Sequence, residues 1–258
     1  MSTVPLRRAD RVAAILERLS ADRSLGVAEL AESFGVSQST LRRDLQALQE
    51  HRLLTRTHGG AHASEVAYEL PIRYRDAHHR EQRRRIATVA VSRIPQGAFA
   101  VGLTGGTTTS EVARLLVERT DLTVVTNALN IAAEMALRPR LRLVVTGGVS
   151  RSQSYELVGH WAEHTLLGLN VGIAFVGVDG ISAKGGLTTH DPVEAKTNAV
   201  LISRASRTIV VADGSKVGHD RLARIVEVQD VDELITDDSA DESALQALRR
   251  TGLTVTVI

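Results

Sequence analysis

Val36-Ser37-Gln38-Ser39-Thr40-Leu41-Arg42-Arg43-Asp44-Leu45 is the stretch whose reading decides how this chain begins. With Leu48, its two leucines recur at i, i+4 and i+7, so they share one stripe of a helix. Ser37 stands where an N-cap is needed, and Gly35 stands where the preceding helix would end in a left-handed residue. With the leucines turned inward, Ser37, Gln38, Ser39, Thr40, Arg42, Arg43 and Gln46 are left on the outside. Hydroxyls and a helix N-terminus suit phosphate. Arginine can read guanine bidentately, and glutamine can read adenine. These seven residues are therefore the expected DNA contacts of a recognition helix.

Working outward, Val12, Ile15, Leu16 and Leu19 predict a first helix over 8–19, and Val27, Leu30, Ala31 and Phe34 a second short one. After the third helix, residues 53–61 read as a strand entering a glycine turn and returning, the outline of a wing. Arg56 and His58 fall near its tip and would reach the DNA backbone or minor groove, with Gly59 and Gly60 permitting close approach. An ordinary helical bundle with a charged, solvated face has the same leucine pattern. The glycine hairpin behind it favours the DNA-binding reading.

From 65 to about 85 the apolar pattern weakens, Pro71 interrupts it, and arginines gather at 73, 75, 80 and 83–85, as in a linker running into a helix. Beyond it, short β-branched runs at 99–103, 122–126, 141–146, 171–178, 208–212, 233–236 and 253–258 alternate with helical stretches. That alternation predicts a Rossmann-like parallel sheet with helices on both faces. The expected class is α/β, a winged helix-turn-helix over residues 7–62, a linker over 63–82 and an effector domain over 83–258.

Loops at the carboxyl ends of those strands carry the second signal. Gly105, Gly106, Thr107, Thr108 and Thr109 follow a strand and open a helix, so backbone amides, hydroxyls and the helix dipole would meet an anion there. No Gly-Lys-Ser/Thr ending and no dinucleotide fingerprint is present, which argues against ATP and NAD. Other strands run into Asn127, Gly148, Asp179 and Lys216. In an open parallel sheet such loops converge on one crevice. Asn127 and Asp179 would fix ligand hydroxyls and Lys216 an anionic group; taken singly, each is equally well a cap or turn residue. Only three of 31 basic residues are lysines, Lys184, Lys196 and Lys216, and all fall in one stretch. A compact, flexible ammonium suits a small anion, although chance clustering has the same appearance.

The same residues resemble a known family. VSQSTLRRDLQAL followed by RTHGGA matches the "VSxxTxRRDLxxL" and "RxHGGA" signature of the DeoR family of bacterial sugar-catabolism repressors. GGTTTSEVA, TNALNIAAE, GLTTHDPVEA and VADGSK extend the resemblance through its sensor domain. The resemblance implies a repressor that binds operator DNA and answers to a phosphorylated sugar. The family's first sensor loop commonly reads DSGTTT, whereas Thr104 and Gly105 stand here for the aspartate and serine. The sensor is also similar to ribose-5-phosphate isomerases, whose active-site segments follow the order Gly177-Val178-Asp179, Lys184-Gly185-Gly186, Glu194 with Lys196, and Lys216. That similarity adds Lys184 and Glu194 to the expected ligand site.

An isomerase would need a carboxylate base, for which Glu194 is the candidate. The enzymes' Asp-Gly-Ala-Asp pattern is Val176-Gly177-Val178-Asp179 here, so the first aspartate is missing and a sensor is expected rather than an enzyme. A nucleic-acid-binding protein without ligand response is the other alternative.

Bulk properties agree with this reading. At 258 residues two domains are expected, and no apolar run approaches the ~18 residues of a membrane span. The start does not read as a signal peptide, so a cytoplasmic protein is expected. With no cysteine and no helical histidine pair beside a third ligand, neither metal nor cofactor is expected. Paired half-sites would call for a homodimer or homotetramer.

Overall fold

The computed structural model describes residues 8–22, 24–50, 54–57, 59–63, 72, 79–97, 99–138 and 140–258. Contacts divide the chain into two units, Met1–His78 and His79–Ile258.

In the first unit, α1 (Arg8–Asp22) leads through β1 (Ser24–Gly26) into α2 (Val27–Ser33) and α3 (Gln38–Glu50), followed by β2 (Leu54–Arg56) and β3 (Gly60–Ala63). The apolar stripes of the helices close on one core. Ile15, Leu30, Leu41, Leu45, Leu48 and Leu54 are its most deeply buried members. Gly35 takes φ 64° between α2 and α3, the left-handed turn that sets the two helices across one another. The strands order β1-β3-β2, all antiparallel. Gly60 has a specific task in that sheet: a Cβ there would sit 1.8 Å from the Leu25 carbonyl oxygen, so β3 approaches β1 only because position 60 has no side chain. The freedom ascribed to Gly60 from sequence is thus used against the protein's own backbone.

The second unit begins with α4 (Arg80–Val91), β4 (Phe99–Leu103), α5 (Thr107–Leu116), β5 (Leu122–Thr126), α6 (Leu129–Met135) and β6 (Arg142–Val145). A hairpin of β7 (Val149–Arg151) and β8 (Glu156–Val158) precedes α7 (His160–Leu167) and β9 (Ile173–Val176). The rest is β10 (Gly180–Ser182), β11 (Gly186–Thr189), α8 (Pro192–Ser203), β12 (Thr208–Val211), β13 (Ala223–Val226), β14 (Glu233–Thr236), α9 (Glu242–Arg250) and β15 (Thr254–Val257).

Seven strands form one parallel sheet in the order β15-β14-β12-β9-β4-β5-β6. Because side chains alternate along a strand, Ile173 and Phe175 of β9 join a core under α4, α5 and α6, while Ala174 and Val176 join the core under α7, α8 and α9. Both faces are covered, which is why these strands read as continuous β-branched runs. The chain moves from β4 to one side for β5 and β6 and to the other for β9, β12, β14 and β15. The sheet's switch point therefore lies between β4 and β9, the place where an open parallel sheet offers a crevice at its strand ends.

Candidate nucleic-acid interface and effector site

The outer edge of α3 is built by what it hides. Leu41 and Leu45 are fully buried, and so is Asp44 at 3% exposure, held by Arg11 Nε at 2.6 Å with Arg8 Nε at 3.5 Å outside it. This ion pair fixes α3 against α1, and burying those positions leaves Ser37, Gln38, Ser39, Arg42, Arg43 and Gln46 exposed and Thr40 half-buried. The Ser37 hydroxyl caps the helix by accepting the Thr40 amide at 3.2 Å, and it also lies 2.8 Å from the Ser39 hydroxyl. Gln46 donates to Glu50 at 3.2 Å. Arg56 is exposed on β2, and the Thr57 amide donates to the Gly60 carbonyl to close the hairpin tip. His58 lies outside the described residues.

In the second unit, the loops after β4 and β9 interlock at the switch point. The Gly177 amide donates to the Thr104 hydroxyl at 3.0 Å, and a Cβ on Gly177 would stand 2.8 Å from the Gly105 carbonyl oxygen. Gly106, at φ 135°, precedes α5 without any side-chain cap, which leaves the first amides of that helix for another acceptor. The hydroxyls here are partly committed: Thr109 and Ser110 donate to the Gly106 carbonyl at 3.0 and 2.7 Å. Thr107 is half-buried and Thr108 buried beside them.

The Gly105 amide has an acceptor. Glu156, at the start of β8, places Oε1 2.5 Å from it. Asn198 of α8 donates to Glu156 Oε2 at 3.2 Å and accepts from Asn127 Nδ2 at 3.1 Å. Asn127 is 1% exposed, and its Oδ1 has no hydrogen-bond partner among the described residues. Nearby, the Thr189 hydroxyl lies 2.5 Å from Glu194 Oε1 and 3.0 Å from Asp179 Oδ2, although it has one proton to give. Arg151 of β7 donates to Glu194 at 3.1 Å and lies 3.5 Å from Asp191, which caps α8 by accepting the Val193 and Glu194 amides. Burial pushes the Glu156 carboxyl well above the usual carboxylate range, the charges of Glu194 and Asp179 push it further, and the Gly105 and Asn198 donors oppose them. Glu194 is also raised, by burial first, against hydrogen bonds from Ser154 and Thr189 and the charge of Arg151.

The crevice thus brings together Gly105, Gly106, Asn127, Asp179 and Glu194. Gly148, at φ 139°, sits at the base of the β7–β8 hairpin, where a Cβ would meet the Val158 amide at 2.9 Å. Lys216 ends a short 3-10 turn, Gly214–Lys216, whose Gly214 amide donates to buried Asp237 at 2.8 Å. Lys184 is exposed in the turn between β10 and β11, and Lys196 pairs with Glu163 at 3.1 Å with its own side chain largely in water. Arg151, Glu156, Thr189 and Asn198 at this site, and Asp44 under the recognition helix, were not anticipated from sequence. Acids and amides of this kind carry no pattern that separates a buried, bonded group from a solvated one. Among the described residues no helix is long and apolar enough to cross a membrane, and no three acids or histidines are placed to hold a metal ion.

Residues 11–66 match a family model described as the DeoR-like helix-turn-helix domain, and residues 78–238 one described as the DeoR C-terminal sensor domain. Full-length relatives agree. The chain is 30% identical to the glycerol-3-phosphate regulon repressor of Escherichia coli K12, covering 94% of this chain and 96% of that one. It is 35% identical to the transcriptional repressor AccR of Agrobacterium fabrum (88% and 89%), and 31% identical to the HTH-type transcriptional regulator GlpR of Haloferax volcanii (96% of each). Among solved structures, ribose 5-phosphate isomerase A of Methanocaldococcus jannaschii is similar over 54% of each chain at 18% identity and a TM-score of 0.40, too distant a likeness to speak to chemistry.

Proposed function

The chain belongs to the DeoR family, and from that premise we propose that it represses a sugar-catabolic operon and that a phosphorylated sugar controls its grip on DNA. Its full-length relatives are named regulators and repressors, and the protein is a DNA-binding transcriptional regulator rather than an enzyme. The observation that carries the reading is the exposed polar edge of α3, held over buried leucines and Asp44, in the same chain as a crevice of amides and acids at the switch point of a parallel sheet.

Ser37, Ser39 and Thr40 with the α3 N-terminus are suited to DNA phosphates, and Gln38, Arg42, Arg43 and Gln46 to base edges. Arg56 and His58 serve the wing. In the effector site the phosphate is assigned to the amides at the start of α5, with Lys216 and Lys184 as cations that close on it. Asn127, Asp179 and Glu194 face the sugar hydroxyls. A homodimer or homotetramer would present paired helices to paired half-sites, and the linker near 73–85 would carry the signal. To release DNA, the effector must bind the non-binding arrangement more tightly, since equal affinity for both shifts nothing.

The test is retention of promoter DNA from the protein's own operon at fixed salt, alone and with a panel of sugar phosphates. Specific retention that one phosphate abolishes is the expected result. Retention unmoved by every member of the panel removes the effector assignment, and absence of specific retention removes the operator assignment. Arg43→Ala should weaken specific binding by about 1–3 kcal/mol while leaving effector affinity unchanged.

A further inference from the structure

We propose that Glu156 is an internal competitor for the effector's anionic group: its carboxyl holds the Gly105 amide while the site is empty and yields that amide when the anion enters. The inference rests on the effector reading given above and concerns how that site discriminates among ligands.

Three independent features lead to it. First, Glu156 Oε1 lies 2.5 Å from the Gly105 nitrogen, so a carboxylate oxygen already stands where the anion cradle would place a phosphate oxygen. Second, the two residues are matched in shape. A Cβ at position 105 would lie 2.5 Å from both Cγ and Oε1 of Glu156, so any side chain there would evict the acid, and only glycine admits it. Third, the acid is delivered by a turn under tension. Tyr155, the residue before it, has φ 60°, a left-handed conformation that a side-chain-bearing residue adopts only at a cost. The turn is tied down by the Leu129 amide on the Tyr155 carbonyl at 2.8 Å and the Leu157 amide on the Asn127 carbonyl at 2.7 Å.

What surrounds Glu156 makes it displaceable. Its donors are the Gly105 and Asn198 amides, and the charged groups gathered at the crevice are Glu194 and Asp191 from α8, Asp179 after β9, and Arg151 from β7. The Arg151 guanidinium is engaged with Glu194 and Asp191. Glu156 is therefore a buried acid held by neutral amides and pushed by the charges of Glu194 and Asp179, an arrangement that a dianionic ligand group cannot share. Expelling it frees the Gly105 N–H to join the uncapped amides of α5 and relaxes Tyr155. The unpartnered, buried Asn127 Oδ1 lies in the same network and offers the incoming ligand an acceptor for a hydroxyl. Effector binding is then coupled to movement of the β7–β8 hairpin.

The experiment uses the full chain and inorganic phosphate as the probe, titrated calorimetrically at pH 7.5. Glu156→Ala should bind phosphate at least ten times more tightly than the parent, and Glu156→Gln, which keeps the shape and can carry no charge, should tighten it by a smaller factor. In the parent protein, hydrogen exchange of the amides in residues 149–158 should speed up when phosphate is added. Equal or weaker binding by both variants, with melting temperatures showing that they are folded, overturns the proposal, as does a hairpin whose exchange phosphate leaves unchanged. If parent and variants bind phosphate alike, the cradle stands and Glu156 has no competing role. If none of them binds it, the phosphate reading of the cradle falls and the proposal with it.

Discussion

Asp44 in the DNA-reading unit and Glu156 in the sensor are equally buried, at 3% and 2% exposure, yet they are handled in opposite ways. Asp44 is paired with Arg11 at 2.6 Å, itself only 6% exposed. Glu156 is held by neutral amides and stands beside other acids. A buried ion pair is a lock, because removing either partner strands the other's charge in a low-dielectric interior. A buried acid without a counter-charge is poised instead, since a proton or a competing anion relieves it. The reading head needs a fixed helix and the sensor needs an exchangeable contact, and the same physical cost of burying charge serves both.

The largest expected effect breaks the lock. Arg11→Ala leaves buried Asp44 with only the longer contact from exposed Arg8 and should cost the DNA-reading unit about 3 kcal/mol, enough to abolish specific DNA retention at ordinary temperature. Chemical denaturation followed separately for the two units should place the whole loss in the first, with effector binding retained. A variant that denatures with the parent would mean that the leucine core alone sets α3. A smaller effect sharpens the distinction between stability and recognition at the head of the same helix. Ser37→Ala removes the cap oxygen from the Thr40 amide and should cost about 1 kcal/mol. Ser37→Asp keeps a capping oxygen and should melt like the parent, but its charge faces the DNA backbone, so operator affinity should still fall. Loss of both properties in parallel for the aspartate variant would show that Ser37 acts only as a cap.

The difference between the two units also explains what could be read from sequence. All seven strands of the main sheet fall inside the expected β-branched runs, and for inner strands such as β9 and β12 the reason is burial on both faces, which demands a nearly apolar sequence. The strands outside the main sheet, β1, β7, β8, β10, β11 and β13, were not anticipated, because nothing in their three or four residues marks the antiparallel partner that tertiary contact supplies. The recognition helix was legible because its leucine stripe determines its outer face. Asp44 was not, since an aspartate between arginine and leucine reads as solvated until Arg11, 33 residues away, is placed on it. At the sensor, Gly105, Gly106, Asn127 and Asp179 could be named because strand-end loops converge in this topology, and Glu194 through the similarity to the isomerases. Glu156 could not, because it reaches Gly105 across 51 residues through a hairpin with no sequence signature. One trace of it was visible beforehand: glycine in place of the family's serine at position 105 is an anomaly for which Glu156 supplies a steric reason.

The smallest expected effect tests the contrast without a ligand. Burial and neighbouring acids raise the Glu156 carboxyl well above its unfolded value, and Glu194 is raised in the same sense. For a group raised on folding, the favourable contribution is complete below the unfolded pKa and is lost as pH rises through the folded one. The sensor should therefore lose stability from the ordinary carboxylate range upward, until both acids are ionised, and Glu156→Gln should flatten part of that decline. On the acid side the half-buried pair Arg119–Asp121 behaves in the opposite way. Two hydrogen bonds from the guanidinium, at 2.6 and 2.7 Å, hold Asp121 down to about 2, so its contribution is present above the ordinary aspartate range and disappears as pH falls toward that value. Thermal melts of parent and Glu156→Gln from pH 2 to 9 separate the two: both curves should fall together at the acid end, where Asp121 is protonated, and diverge toward the alkaline end. Parallel curves across the whole range would mean that Glu156 is ionised and accommodated throughout, which would make the sensor's buried acid as settled as Asp44.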